Sequence, residues 1–193
     1  MGIKPSFYTV LFDACVLYPA PLRDILVQLA TTSLFRAKWT NQIHDEWIDS
    51  VLERRPDLTR LQLERTRDMM NGAILDCLIT NYEYLIPALN LPDPKDRHVL
   101  AAAIHARCDA IITTNLKDFP AHILSKHNIE AIHPDDFIHH QFGLDQAAVI
   151  TSAYEVRARL KNPPVTADEY IDILSKLPLP KTASELLPFK SVI

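Results

Sequence analysis

The pattern of apolar and polar positions alternates between short apolar runs and longer stretches with helical spacing. Five runs rich in β-branched and aromatic residues predict strands, at residues 8–12, 37–40, 84–86, 110–113 and 130–132. Between them, apolar residues recur three or four positions apart, which predicts amphipathic helices, including a long one over residues 58–80. Strands that alternate with helices indicate the α/β class with a largely parallel sheet.

The pattern changes after about residue 143. Residues 145–160 have the spacing of a helix, and two sequences resembling capping boxes, Thr166–Glu169 and Thr182–Glu185, each predict the start of a further short helix. This tail is too short to form a large core of its own. We therefore expect a main domain at 1–142 and a helical extension at 143–193 that packs on that domain or on a partner.

The composition is that of an ordinary globular protein. The chain has 193 residues, of which 48% are hydrophobic and 23% charged, as in ordinary globular proteins. No apolar run approaches the roughly 18 residues that span a bilayer, and residues 1–5 lack the apolar core of a signal peptide. We expect a cytoplasmic protein that does not bind membranes. Three widely spaced cysteines (Cys15, Cys77 and Cys108) fit reduced, mostly buried thiols, and the apolar neighbours of Cys15 disfavour a nucleophile.

Charge and glycine content limit the possible chemistry. The net charge of −4 does not support binding of nucleic acid by bulk charge. The chain has only three glycines, which excludes the glycine-rich loops that cradle phosphates in dinucleotide-binding proteins and P-loop enzymes. Any chemistry on phosphates must therefore use another device.

Acidic and amide side chains at the ends of predicted elements would provide such a device for phosphate chemistry. They are Asp13 after the first strand, Glu46 in a helix, Asp93 and Asp96 at a helix start, and Asn115 and Asp118 after the 110–113 strand. Each alone could cap a helix, make a turn or face solvent. Sites in parallel sheets lie beyond the carboxyl ends of the strands, and carboxylates that meet there would repel one another without a cation. Mg²⁺ or Mn²⁺ would remove that repulsion and activate a water toward a phosphodiester.

Four segments in this order resemble the motifs of the PIN-domain family over roughly residues 7–140. They are residues 10–17 (VLFDACVL), 45–47 (DEW), 96–103 (DRHVLAAA) and 111–119 (IITTNLKDF). The resemblance implies a three-layer α/β/α fold with a parallel sheet of about five strands. It also implies a VapC-type toxin, which is a Mg²⁺- or Mn²⁺-dependent endoribonuclease inhibited by a cognate antitoxin and often a homodimer. The tail is similar to an extension found in one bacterial subgroup.

The resemblance assigns roles to particular residues. It implies a catalytic set of Asp13, Glu46, Asp96 and Asp118, and metal ligands at Asp13, Asp96, Asp118, Asn115 and Asp93. Arg97 and Lys117 adjoin acidic motifs and, with Arg157 and Arg159 of the tail, are the candidate RNA-binding residues. The histidines are expected to have surface or core roles.

Three departures keep other functions open. Ala14 and Cys15 stand where the family usually has a small hydroxyl residue and Asn, and Asn115 stands where Asp is frequent. These departures favour an alternative, a catalytically weak or inactive PIN scaffold that binds RNA or a protein partner. A phosphatase with Asp13 as nucleophile is disfavoured, because such enzymes commonly need a second acid where Cys15 stands.

Overall fold

A computed structural model describes residues 8–193, so the expectation for residues 1–5 lies outside the described residues. Within that range the sheet has four parallel strands in the order β2-β1-β3-β4. They are β1 (Thr9–Phe12), β2 (Arg36–Lys38), β3 (Ala110–Ile112) and β4 (Glu130–Ile132). Helices flank this sheet, which confirms the predicted α/β architecture.

Ten α-helices follow the chain order across the described part. They are α1 (Ala14–Leu17), α2 (Ala20–Ala30), α3 (Asn41–Arg54), α4 (Arg60–Ala73), α5 (Arg97–His105), α6 (Ala121–Leu124), α7 (Pro134–Leu144), α8 (Gln146–Arg159), α9 (Ala167–Lys176) and α10 (Pro180–Leu186). Short 3₁₀ helices lie at Glu83–Ala88, Pro94–Asp96, Leu116–Asp118, Ser125–His127 and Leu187–Phe189. Between residues 8 and 193, no helix is both long and apolar enough to cross a bilayer.

One of the five predicted strands is wrong, because residues 84–86 lie in the 3₁₀ helix Glu83–Ala88. A single parallel bridge between Trp39 and Leu78 extends the sheet beside β2 instead. There the Trp39 backbone N–H donates to the Cys77 carbonyl at 3.0 Å, and the Ile79 N–H donates to the Trp39 carbonyl at 2.9 Å. This pairing also explains why α4 stops at Ala73 rather than near residue 80.

The core lies around β1 and β3, whose apolar side chains are fully buried. The ring of Phe12 contacts Phe35, Trp39 and Phe137 at centroid distances of 6.1, 6.2 and 6.4 Å. Helix α5 contributes a buried alanine-rich face, and small side chains let a helix approach the sheet closely. Burial of these apolar surfaces holds the carboxyl ends of β1 and β3 side by side.

The C-terminal helices pack on the main domain, as expected. Helix α8 contacts α2 and α7, while α10 contacts α7 and α9. The buried carboxylate of Asp135 accepts hydrogen bonds from the backbone N–H groups of Lys181 and Thr182, both at 2.9 Å, and from the Thr182 hydroxyl at 2.8 Å. The interface between the two parts is therefore polar as well as apolar.

The two capping-box predictions have different outcomes. Thr166 and Glu169 form the predicted capping box of α9. The short helix predicted at Thr182 exists as α10, but it begins at Pro180, and the Thr182 hydroxyl donates to Asp135 instead of capping the helix. The proposed division at 142/143 falls within the last turn of α7, and α8 begins at Gln146.

Candidate metal-binding active site

Asp13 is held at the carboxyl end of β1 by donors on both of its oxygens. Oδ1 accepts from the Ala14 backbone N–H at 2.7 Å, which caps α1, and Oδ2 accepts from the Thr113 hydroxyl at 2.7 Å. The Cys15 thiol donates to Oδ2 at 3.1 Å. Because β1 and β3 pair Phe12 with Ile112, the next residues, Asp13 and Thr113, emerge together. Donors of this kind stabilise an ionised carboxylate and fix its direction.

Cys15 therefore supplies a polar contact to Asp13 where the family usually has Asn. Its Sγ lies 3.3 Å from the Thr113 hydroxyl and accepts from the Thr114 backbone N–H, also at 3.3 Å. Burial, followed by the negative charge of Asp13, raises the pKa of the Cys15 thiol to about 12. The side chain is thus a neutral hydrogen-bonding group, since the thiolate would be the nucleophilic form. All three cysteines, each within the described residues, are free.

A cavity of about 490 Å³ opens beside Asp13. We call it the acidic cavity; it is lined by Asp13, Ala14, Cys15, Tyr18, Glu46, Ser50, Glu53, Arg54, Asp93, Lys95, Asp96 and Asn115. Five of these side chains are carboxylates and two are cationic. The structure therefore brings Asp13, Glu46 and Asp96 to one place from three separate elements.

Asp96 feels the negative charge of its neighbours. Desolvation by burial, followed by the negative charges of Asp13, Asp93 and Asp118, raises the pKa of Asp96 to about 6. Asp96 makes no capping hydrogen bond to α5 in the described structure, whereas Asp93 accepts from the Lys95 backbone N–H at 2.8 Å. The Asp96 carboxylate thus remains available to the cavity.

Glu46 reaches the cavity from α3 and is held by a histidine. The Nε2 atom of His98 lies 2.8 Å from Glu46 Oε1, and the His98 side chain is only 4% exposed. Gln42 Nε2 lies 3.4 Å from the same oxygen. Thr113 and His98 are two hydrogen-bonding partners of site carboxylates that reasoning from the sequence missed. A polar residue directly after an apolar strand was a usable signal for Thr113, whereas the contact of His98 depends on how α5 packs against α3.

The other predicted site residues lie around this centre. Asn115 lines the cavity, while Asp118 lies outside the lining and acts on Asp96 by its charge. Lys117 is exposed on the 3₁₀ turn Leu116–Asp118, and Arg97 is half-buried at the start of α5. The cationic residues that line the cavity are instead Arg54 and Lys95.

The two arginines of the tail lie in packing contacts within the extension and with α2. Arg157 donates from a guanidinium N–H to the Val165 carbonyl at 3.0 Å. Arg159 donates to the Glu155 carbonyl at 3.1 Å and also to the Gln28 side chain of α2. These contacts use donors that would otherwise be free for phosphates.

The donor set of the cavity fits a hydrated divalent cation better than an enclosed one. Across the described residues, no group of three or more His, Cys, Asp or Glu side chains is close enough to hold a metal ion by itself. Mg²⁺ keeps several waters and uses one or two carboxylates, and oxygen donors suit both Mg²⁺ and Mn²⁺. The like charges that raise the pKa of Asp96 are a further sign of fit, since a cation there would offset them.

Comparison with known proteins decides the family. The PIN-domain family model matches residues 9–117, which is more than half of the chain. The chain belongs to the PIN-domain family. A second family model, described as the VapC50 C-terminal domain, matches residues 134–188 of this PIN protein and so covers α7 together with the extension.

A related sequence agrees with this assignment. The chain is 41% identical over 95 residues to the Mycobacterium tuberculosis (strain ATCC 25618 / H37Rv) protein named "Putative ribonuclease VapC50". The match covers 49% of this chain and 56% of the relative, little more than half of its length. No solved structure matches the chain.

Proposed function

We propose that this PIN protein is a metal-dependent endoribonuclease that hydrolyses RNA phosphodiesters in the acidic cavity. The convergence of Asp13, Glu46 and Asp96 on one cavity carries the proposal, because a bound cation would offset the burial and negative charges that raise the pKa of Asp96. The family and the name of the relative support ribonuclease chemistry.

The residues of the cavity have different proposed roles. Asp13 and Asp96 would hold Mg²⁺ or Mn²⁺, with Asn115 and Asp93 as further oxygen donors, whereas Asp118, a ligand candidate from the sequence, lies outside the cavity lining and acts through its charge. When bound, the cation supplies charge neutralisation at the phosphate and a more acidic water. Glu46, whose carboxylate is 38% exposed, faces the cavity and can orient and deprotonate the attacking water.

The hydrogen bonds around Asp13 favour an active enzyme over an inactive scaffold. Cys15 and Thr113 preserve a fixed carboxylate at the first motif despite the departure from the usual family residues. A phosphatase with Asp13 as nucleophile has no support, because a thiol whose pKa is about 12 is a poor substitute for the second acid such enzymes need.

A cognate antitoxin, a homodimer and a cytoplasmic location complete the proposal. The VapC-type resemblance supports the antitoxin and the dimer, and the free cysteines suit a reducing compartment. Copurification with the product of an adjacent gene for a small DNA-binding protein tests the first. Light scattering after size-exclusion chromatography tests the second.

Cleavage of a mixed RNA pool tests the enzymatic proposal. We expect wild-type protein to cut RNA with Mg²⁺ or Mn²⁺ and to stop with EDTA. Asp13→Asn should slow cleavage by at least about 100-fold, because losing a ligand removes several kcal/mol of transition-state stabilisation. Asp172→Asn, an exposed substitution on α9, is the matched control and should cleave like wild type. Cleavage that survives both EDTA and Asp13→Asn would refute the proposal.

A further inference from the structure

His98 is buried at the start of α5, directly behind the acidic cavity. It is the second residue of that helix and lies two positions after Asp96. Its ring is 4% exposed, yet its Nε2 reaches Glu46 Oε1 on α3 at 2.8 Å. The side chain therefore links two helices that each bring a carboxylate to the cavity.

The environment of the ring defines the direction of this hydrogen bond. His98 Nδ1 is buried and has no hydrogen-bond partner among the described residues. An imidazole that carries its hydrogen on Nε2 can donate to Glu46 and leaves Nδ1 without a hydrogen to satisfy. A hydrogen on Nδ1 would be a buried donor without an acceptor, which is costly. Donation from Nε2 to Glu46 is thus the arrangement that fits the surroundings of the ring.

Glu46 needs such a restraint because it is otherwise weakly held. Its side chain is 38% exposed, and glutamate is a flexible side chain that loses considerable rotamer entropy when it is ordered. The contact from Gln42 is long, at 3.4 Å, and comes from an exposed residue. A buried donor on the Oε1 side leaves Oε2 for the cavity.

We propose that His98 is a positioning residue that fixes the Glu46 carboxylate in the acidic cavity. This inference rests on the proposed nuclease function. It differs from a packing role, because the ring acts through one oxygen of Glu46. Partners that hold a ligand or catalytic carboxylate commonly change metal affinity or activity by 10- to 100-fold when they are removed.

Two substitutions separate positioning from packing. His98→Gln keeps an N–H donor near the place of Nε2, and His98→Met has a similar length and volume but no donor. We expect His98→Met to lower kcat for RNA cleavage by about 10-fold or more, with little change in KM. We also expect it to weaken Mn²⁺ binding to the full-length protein, measured by calorimetry without RNA, because a displaced Glu46 carboxylate contributes less negative charge to the cavity. His98→Gln should restore both quantities to within about threefold of wild type.

A double-mutant cycle with Glu46→Gln completes the test. If His98 acts through Glu46, the Glu46→Gln/His98→Met double variant should be no worse than Glu46→Gln alone. Additive losses, a folded His98→Gln that is as impaired as His98→Met, or a His98→Met variant with wild-type kcat and Mn²⁺ affinity would each overturn the positioning role. In those cases wild-type metal-dependent cleavage would still stand. Failure of the wild type to cleave RNA would instead remove the proposed function itself.

Discussion

At the scale of single residues, burial and neighbouring negative charges disfavour the ionised form of Asp96, and a cation would relieve this effect. The pKa of Asp96 is raised to about 6, so the folded metal-free protein binds a proton there more tightly than the unfolded chain does. The resulting penalty on the folded state is present above pH 6 and is relieved as the pH falls toward 4. A cation bound by Asp96, as proposed, would compete with this proton.

This competition predicts that Mn²⁺ affinity depends on pH with a midpoint near 6. Below that pH, affinity should fall by up to about tenfold per unit, since one proton must leave Asp96. Above it, affinity should level off. Calorimetric titrations between pH 5 and 8 measure the curve.

The charge of Asp118 provides the control for that curve. Asp118→Asn removes one of the negative charges that raise the pKa of Asp96, although Asp118 does not line the cavity. The midpoint should therefore move to lower pH. An affinity that is flat from pH 5 to 8, or a midpoint that Asp118→Asn moves upward, would show that Asp96 does not control binding.

At the scale of elements, helix α3 has one face buried in the core and another that lines the acidic cavity. Ile43, Trp47, Ile48 and Val51 are buried, whereas Glu46, Ser50, Glu53 and Arg54 line the acidic cavity. The spacing of four, three and one residues places the second set along one side of the helix. One amphipathic helix thus anchors in the core and forms a wall of the site.

Arg54 is the cation on this side of α3 that we expect to contact RNA. It is exposed at the end of α3, and its guanidinium lies 5.9 Å from the centroid of the Tyr18 ring. The experiment uses an Asp13→Asn background, which slows cleavage. There Arg54→Ala should weaken the binding of single-stranded RNA and make the slope of log K against log salt concentration shallower by roughly 0.7, the value for one phosphate contact. Fluorescence anisotropy at several salt concentrations measures both.

The adjacent Arg55 is the matched control for Arg54. It is exposed like Arg54 but pairs with Asp57, to whose carboxylate its Nε donates at 2.8 Å. Arg55→Ala should leave RNA affinity and salt slope unchanged. Equal effects of the two substitutions would mean that RNA follows general surface charge rather than the cavity.

The elements also show what the sequence could and could not predict. β1, β3 and β4 follow from local apolar runs, and the residues after them follow from the parallel topology. Residues 84–86 looked like a strand because they are apolar, but strand pairing depends on distant partners. At the edge of the sheet beside β2, Leu78 instead bridges to Trp39. The sequence alone could not place Arg54 and Lys95 at the cavity, since solvent-facing charges carry no signature of the cavity that they line.

At the scale of the whole molecule, a buried carboxylate on α7 holds α10 in place. Asp135 is 4% exposed at the start of α7 and accepts the first N–H groups of α10. Both ends of this contact lie within residues 134–188, where the VapC50 C-terminal family model matches. α7 itself also packs on β1 through Phe12 and Phe137, so the contact couples α10 to the core of the sheet.

Removal of that carboxylate should destabilise the whole chain. Asp135→Ala leaves the Thr182 N–H and hydroxyl buried without their acceptor, and we expect a loss of about 2–4 kcal/mol in the free energy of unfolding. The neighbouring Asp136→Ala breaks an exposed ion pair with Lys181 and should cost less than about 1 kcal/mol. Urea unfolding followed by circular dichroism compares the two. If Asp135→Ala unfolds α8–α10 separately while RNA cleavage persists, the extension is an independent unit; a single shifted transition means that it folds cooperatively with the PIN domain.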